Sequence, residues 1–270
     1  MKFGLFGIGA GLSSDPDIAT RLAIEAESCG FDSVWTGEHV VLPDPRQPPS
    51  PAEPDHPMVH PSTVLAYVAA STKTLKLGTG ITLIAQRNPV VLAKEMGSLD
   101  HLSKGRLIFG IGAGYLHQEF SALGVNFQQR GERTNEYIEV MRALWTQPKP
   151  SYQGKFYQFD QIQAMPRPVQ EGGPPIVVGG ASDGALRRAV KYGQGWYGFA
   201  MNPTQTKTVL DKLRVMGGDG LEISVTPPGR YGIDDIIAFR DIGVHRIIGL
   251  LPQRDEDSLF RAVHTMAEFI

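Results

Sequence analysis

The sequence predicts an α/β fold, a single parallel (β/α)8 TIM barrel domain over residues 1–270, with insertions after the second strand and before the fifth. Short apolar runs alternate with helix-period segments in strict order, eight times over, and such alternation implies parallel strands joined by crossovers. Runs such as "IVV" (176–178) and "RIIGLL" (246–251) suit strands buried on both faces. A chain of 270 residues has the length of one such barrel. A doubly wound open sheet shares the alternation and is the alternative architecture.

Each element has a local reason. "KFGLFG" (2–7) is the first strand, and "DIATRLAIEAESCG" (17–30) follows with apolar spacing near 3.6 and Gly30 as its stop. "DSVWTGEH" (32–39) is the second strand and its exit, and "PSTVLAYVAASTK" (61–73) a helix opened by Pro61 and Ser62. "LKLGTGITLI" (75–84) is the third strand, and "PVVLAKEMGSLDHLSKG" (89–105) a helix with Pro89 in its first turn. "RLIFGIGAG" (106–114) is the fourth strand, followed by the helix "RGERTNEYIEVMRALW" (130–145). The remaining strands start near Pro175, Trp196, Leu221 and Arg246, each with its helix. Two segments exceed the minimal barrel. Val40 to Pro61 is crowded with prolines and reads as a loop, and Lys149 to Pro175 reads as a small hairpin plus an extended arm. Long loops in compact domains are usually functional or disordered, and both are placed where connections can reach a pocket.

Composition narrows the partners. Net charge is −2 with no basic stripe, so neither nucleic acid nor an anionic membrane is expected. No stretch has the ~18 apolar residues of a membrane span. "MKFGLFGIGAGL" lacks a cleavage site and is broken by four glycines, so it reads as a strand rather than a leader. The lone cysteine, Cys29, precludes an internal disulfide and fits buried packing in a cytoplasmic protein. Glu53, Asp55, His56 and His60 lie close in sequence but lack a metal-ligand spacing, so a solvated loop and no metal are expected. Trp35 and Trp196 fit barrel packing or the edge of a pocket.

Glycines mark the candidate site. "FGIGAG" occurs at 6–11 and again at 109–114, ending the first and fourth strands. Its spacing is not that of a dinucleotide fingerprint. Strand C-termini ring the mouth of a barrel, where sites of this fold lie. The first copy reads as a tight turn. The second reads as a place for ligand approach, because Tyr115, His117, Gln118 and Glu119 follow it. "VVGGAS" (177–182) puts Gly179, Gly180 and Ser182 between a strand and a helix N-terminus, which is either an anion site or a plain helix cap.

"SVWTGEH", "LKLGTGITLIAQRNPVVLAKEMGSLDHLSKGRLIFGIGAG", "RGERTNEYIEVMRALW" and "PPIVVGGASDGALRRAV" together resemble the luciferase-like monooxygenase superfamily, in order and roughly through Trp196. "GTGITLIAQRNP" (78–89) is similar to the branch that uses the deazaflavin coenzyme F-420, and FMN is the alternative cofactor. The resemblance implies a histidine, His39, beside the coenzyme ring. It implies a cis peptide and bulge at Gly80–Ile81, with Thr82, backing one ring face. Gly114, Tyr115 and Gln118 would line the ring and tail, and Val178, Gly179, Gly180, Ala181 and Ser182 the phosphate. The implied activity is hydride transfer between coenzyme F-420 and a small organic substrate, in a homodimer, with His39 and Tyr115 as catalytic candidates. An FMN-dependent monooxygenase and a non-catalytic flavin-binding barrel are the alternatives. Three departures matter. Tyr115 stands where some relatives carry a glutamate acid. "HVVLPD" lacks the tryptophan of the sugar-phosphate dehydrogenases. Ala113 stands where FMN luciferases place an arginine.

Overall fold

Alternation along each strand sorts side chains between the barrel axis and the outer helices. The computed structural model describes residues 1–270. In chain order its strands are β1 (Lys2–Phe6), β2 (Ser33–Thr36), β3 (Lys76–Thr79), β4 (Thr82–Leu83), β5 (Leu107–Gly112), β6 (Tyr152–Gln153), β7 (Gln158–Phe159), β8 (Ile176–Gly179), β9 (Gly195–Phe199), β10 (Glu222–Thr226) and β11 (Arg246–Leu250). Its helices are α1 (Pro16–Ser28), α2 (Pro61–Ala69), α3 (Pro89–Leu102), α4 (His117–Ala122), α5 (Arg130–Thr146), α6 (Asp183–Tyr192), α7 (Pro203–Val215), α8 (Ile233–Asp241) and α9 (Glu256–Ala267). β1 pairs in parallel with β2 and β11, and β3 also pairs with β5, so the ends of the strand order meet and the sheet closes into a barrel. β4 continues the third stave beyond a break, and β6 and β7 form a separate antiparallel hairpin. The staves begin within a residue of the predicted positions. The short helix α4 was not anticipated.

The helices start where their caps dictate. Asp15, Asn88, Ser182, Asn202 and Asp255 accept first-turn backbone N–H groups, and proline opens α1, α2, α3 and α7. Phe3, Leu5, Val34, Phe109, Ile111, Val178, Trp196, Val225 and Ile247 point outward and join the helices in one large apolar core. Trp35, Ile108, Val177, Tyr197 and Ile248 fill the barrel axis. Trp35 stacks on Tyr197 with centroids 5.6 Å apart. It fits because Gly78 has no side chain: a Cβ there would lie 2.2 Å from the indole. Both tryptophans are therefore packing residues, as one of the two readings held.

The insertions differ in reach. The proline-rich loop docks on the turn after β1, through Val59 N–H to Gly9 O at 2.8 Å and Gly11 N–H to Pro57 O at 2.9 Å. The arm before β8 does not approach the mouth, contrary to expectation. Buried Asp100 accepts from the Val169 and Gln170 amides, and Gln170 also donates to Leu107 O at the start of β5. Glu136 on α5 clasps the hairpin through the amides of Lys155, Phe156 and Tyr157.

The end of the barrel away from the mouth is closed by charge. Arg246 is 1% exposed and pairs with Asp32 at 2.8 Å and with Glu222 at 2.5 Å, while Lys2 reaches Glu222 at 2.7 Å. Burial opposes the charge on Glu222, but Lys2 and Arg246 outweigh it and hold the carboxyl below its ordinary range. Removing one member of a buried ion pair strands its partners, so Arg246→Ala should destabilise the fold by about 3–5 kcal/mol in chemical denaturation. A depressed carboxyl contributes its stability above the ordinary glutamate range and loses it as pH falls through its folded value. The gap between wild type and Arg246→Ala should therefore narrow in acid. A gap that widens there contradicts this role for the network.

Candidate active site

The third stave breaks at its C-terminal end. Gly80–Ile81 is a cis peptide, as the resemblance implied, and the strand resumes as β4. The Ile81 side chain enters space that neighbouring staves leave open. A Cβ on Gly112 would lie 2.0 Å from Ile81 Cδ1, and one on Gly179 would lie 2.9 Å from Ile81 Cγ2. A Cβ on Gly110 would lie 1.8 Å from the Thr79 carbonyl. This corrects the expectation for the second hexapeptide. Gly110 and Gly112 make room for the chain's own bulge rather than for a ligand. In the first copy Gly7, Gly9 and Gly11 all have positive φ, which is the tight-turn reading.

Next to the break, a buried carboxylate supplies the missing contacts. Glu38 Oε2 accepts the Leu83 amide at 2.6 Å, and Oε1 takes the Arg87 guanidinium, with His60 Nε2 at 3.5 Å. His39 follows Glu38 but does not pair with it. Its Nδ1 stands 3.4 Å from Glu119 Oε2, within ion-pair distance but without a hydrogen bond to any partner. Its Nε2 lies 3.3 Å from the Tyr115 hydroxyl, with the rings edge to face. Glu119 is fully buried and also accepts from the Val40 amide at 2.5 Å and Gln86 Nε2 at 2.9 Å. Burial pushes the Glu119 carboxyl up, but His39, Gln86 and Val40 outweigh it and hold it below its usual range. Burial and the nearby Glu119 charge push the Tyr115 phenol up, so it stays protonated at neutral pH. The sequence placed Glu119 near the site without a role. Its role depends on α4, which turns the residue back beneath His39.

The residues around Tyr115 are fixed from below. Gly114 has φ 83° and packs on Phe120, and Arg130 donates to its carbonyl at 3.2 Å. Gln118 donates to Gln47 of the proline-rich loop at 3.1 Å. Thr82 is buried with its hydroxyl unpartnered. Gly180, Ala181 and Ser182 form an exposed turn into α6. Trp196 Nε1 holds the Gly180 carbonyl at 2.8 Å, a contact the sequence did not reveal. Ser182 caps the helix by accepting the Ala185 amide at 3.3 Å, which leaves its own O–H free to donate. The Val178 side chain is fully buried in the outer core, so only its backbone could meet a ligand.

The site thus lines up Glu119, His39 and Tyr115, ending in a half-exposed phenol beside an apolar wall at Ile81. The orphaned Thr82 hydroxyl and the exposed N–H groups that open α6 fit a planar polar ring with an anionic tail. The loop acids and histidines do not converge on a metal. Glu53 pairs with Arg46, and His60 with Ser62 and Arg87. Cys29 is only partly buried, and its thiol lies 3.8 Å from Glu25 and 3.9 Å from His264, on helices away from the mouth.

Comparison with known proteins agrees with this architecture. The model of the luciferase-like monooxygenase family matches residues 1–228. An uncharacterised protein of Mycobacterium tuberculosis is 30% identical over 278 aligned positions, covering 99% of this chain and 98% of the relative. The F-420-dependent hydroxymycolic acid dehydrogenase of the same organism is 31% identical over 207 positions, covering 74% of this chain and 55% of the relative. Among solved structures, monooxygenase RslO1 of Streptomyces bottropensis superposes with a TM-score of 0.81 at 23% identity, covering 99% of this chain and 98% of the other. No helix is long and apolar enough to cross a membrane. The chain belongs to the luciferase-like monooxygenase family.

Proposed function

We propose that the protein is an oxidoreductase that transfers a hydride between the deazaflavin coenzyme F-420 and a small organic substrate at the barrel mouth. The observation that carries the reading is the Glu119–His39–Tyr115 chain beside the Ile81 wall. Bound coenzyme F-420 supplies hydride chemistry, and the protein supplies position and proton management. Gly80, Ile81, Thr82, Gly114 and Gln118 would hold the coenzyme ring and its tail. The turn from Gly179 to Ser182 would take the phosphate with its free backbone N–H groups and the Ser182 hydroxyl. Glu119 fixes His39 with Nε2 directed at Tyr115. His39 and Tyr115 would hold or move the proton at the substrate oxygen. FMN is the rival coenzyme. Ala113 stands in place of an arginine that would grip its phosphate, which favours the deazaflavin.

Two measurements test this. Titration of the purified protein with each coenzyme, followed by fluorescence, should give a lower dissociation constant for F-420 than for FMN. Equal or tighter FMN binding reverses the assignment. With a working substrate, His39→Asn should lower turnover on the order of 10²–10⁴-fold while coenzyme affinity changes little. Near-normal turnover in His39→Asn makes the histidine positional only.

A further inference from the structure

The mouth carries an apolar surface that the proton chain does not use. Phe6, the last residue of β1, points to the barrel axis. Its ring occupies the space next to Gly37 and Gly80: a Cβ there would lie 3.3 Å and 2.9 Å from it. Phe199, the last residue of β9, packs on Phe6 with centroids 5.1 Å apart, and sits 6.3 Å from Tyr197. Half of Phe199, 51%, remains exposed. Met58 of the docked loop completes the strip, its methyl 3.9 Å from the Gly37 Cβ position. Gly37 is two residues before His39, so the strip adjoins the proton-handling pair.

The carboxylates beside this strip and the Arg87 guanidinium already have partners. Glu38 is spent on Leu83 and Arg87, and Glu119 on His39, Gln86 and Val40. Their side chains are 1% and 0% exposed. An anionic substrate laid on Phe6 and Phe199 would lose water without gaining a counter-charge. An aromatic or alkyl body would cover the exposed ring.

We infer that the substrate is an uncharged, predominantly apolar molecule whose body lies on Phe199 and Phe6, with its carbonyl or carbinol oxygen directed at His39 and Tyr115. Phe199 is then the specificity-determining residue. The inference rests on the reading of the mouth as the oxidoreductase site, but its test needs no turnover. Two probes share one frame: 2-naphthylmethanol and its 6-carboxylate. Binding of each is measured by saturation-transfer NMR and equilibrium dialysis, on the protein alone and saturated with whichever coenzyme binds.

The neutral probe should bind at least ~10-fold more tightly than the carboxylate. Phe199→Ala should weaken it by ~3–10-fold, and Phe199→Leu should restore part of the loss. Thermal unfolding of both variants checks that the fold is intact. A carboxylate that binds as well as the alcohol overturns the inference and points to Arg230, a cation on the loop after β10. Unchanged binding in Phe199→Ala overturns it as well. Survival of the neutral preference with failure of the F-420 titration rejects the coenzyme assignment alone.

Discussion

Ile81 occupies the volume that side chains on Gly112 and Gly179 would fill, and the rest of the site follows from that contact. The third stave departs from its ladder just where the neighbouring staves have no Cβ atoms to obstruct it. The departure turns Leu83 toward Glu38, which accepts its amide from the next stave. A buried carboxylate requires a counter-charge, and Arg87 provides it. His39, one residue further on, is thereby carried to the mouth, where Glu119 and Tyr115 meet it from the fourth stave. Close packing makes such an arrangement sensitive to a single methyl group.

The two ends of the barrel solve different problems with charge. At the closed end Arg246 ties Asp32 to Glu222 across the axis, an arrangement that serves the fold. At the mouth the buried carboxylates hold amides and an imidazole in place and leave the phenol of Tyr115 half-exposed. The difference lies in what remains accessible. Arg246 itself is buried and spent on its two carboxylate partners, whereas the His39–Tyr115 pair ends at open solvent. This separation fits the general division of the fold between a stabilising end and a functional end.

Much of this was legible in the sequence. Strand and helix alternation gave the barrel because each stave is apolar on its outer face and each helix carries its own cap, as Asp15 and Asn88 show. The position of His39 and the break at Gly80–Ile81 came from resemblance. The role of Glu119 did not emerge, because pairing with His39 depends on α4, a helix of 6 residues with no apolar period of its own. The second glycine hexapeptide was misread for a related reason. A glycine that admits a ligand and a glycine that admits a neighbouring isoleucine leave the same mark in sequence. Trp196 shows the same limit: the outward face of β9 is legible, but its bond to the Gly180 carbonyl needs the three-dimensional neighbour.

If Ile81 is the wall of the proposed coenzyme site, its glycine seat governs binding there, and Gly112→Ala tests this most directly. The added methyl would stand 2.0 Å from Ile81 Cδ1, so the isoleucine must shift. Overpacking of this kind typically costs 1–3 kcal/mol. If the wall bears on the ring, the dissociation constant for coenzyme F-420 should rise by ~10-fold or more. Gly220→Ala, where nothing lies within 4 Å of the added carbon, should bind as the wild type does. Unchanged affinity in Gly112→Ala, with the protein folded, would contradict the account.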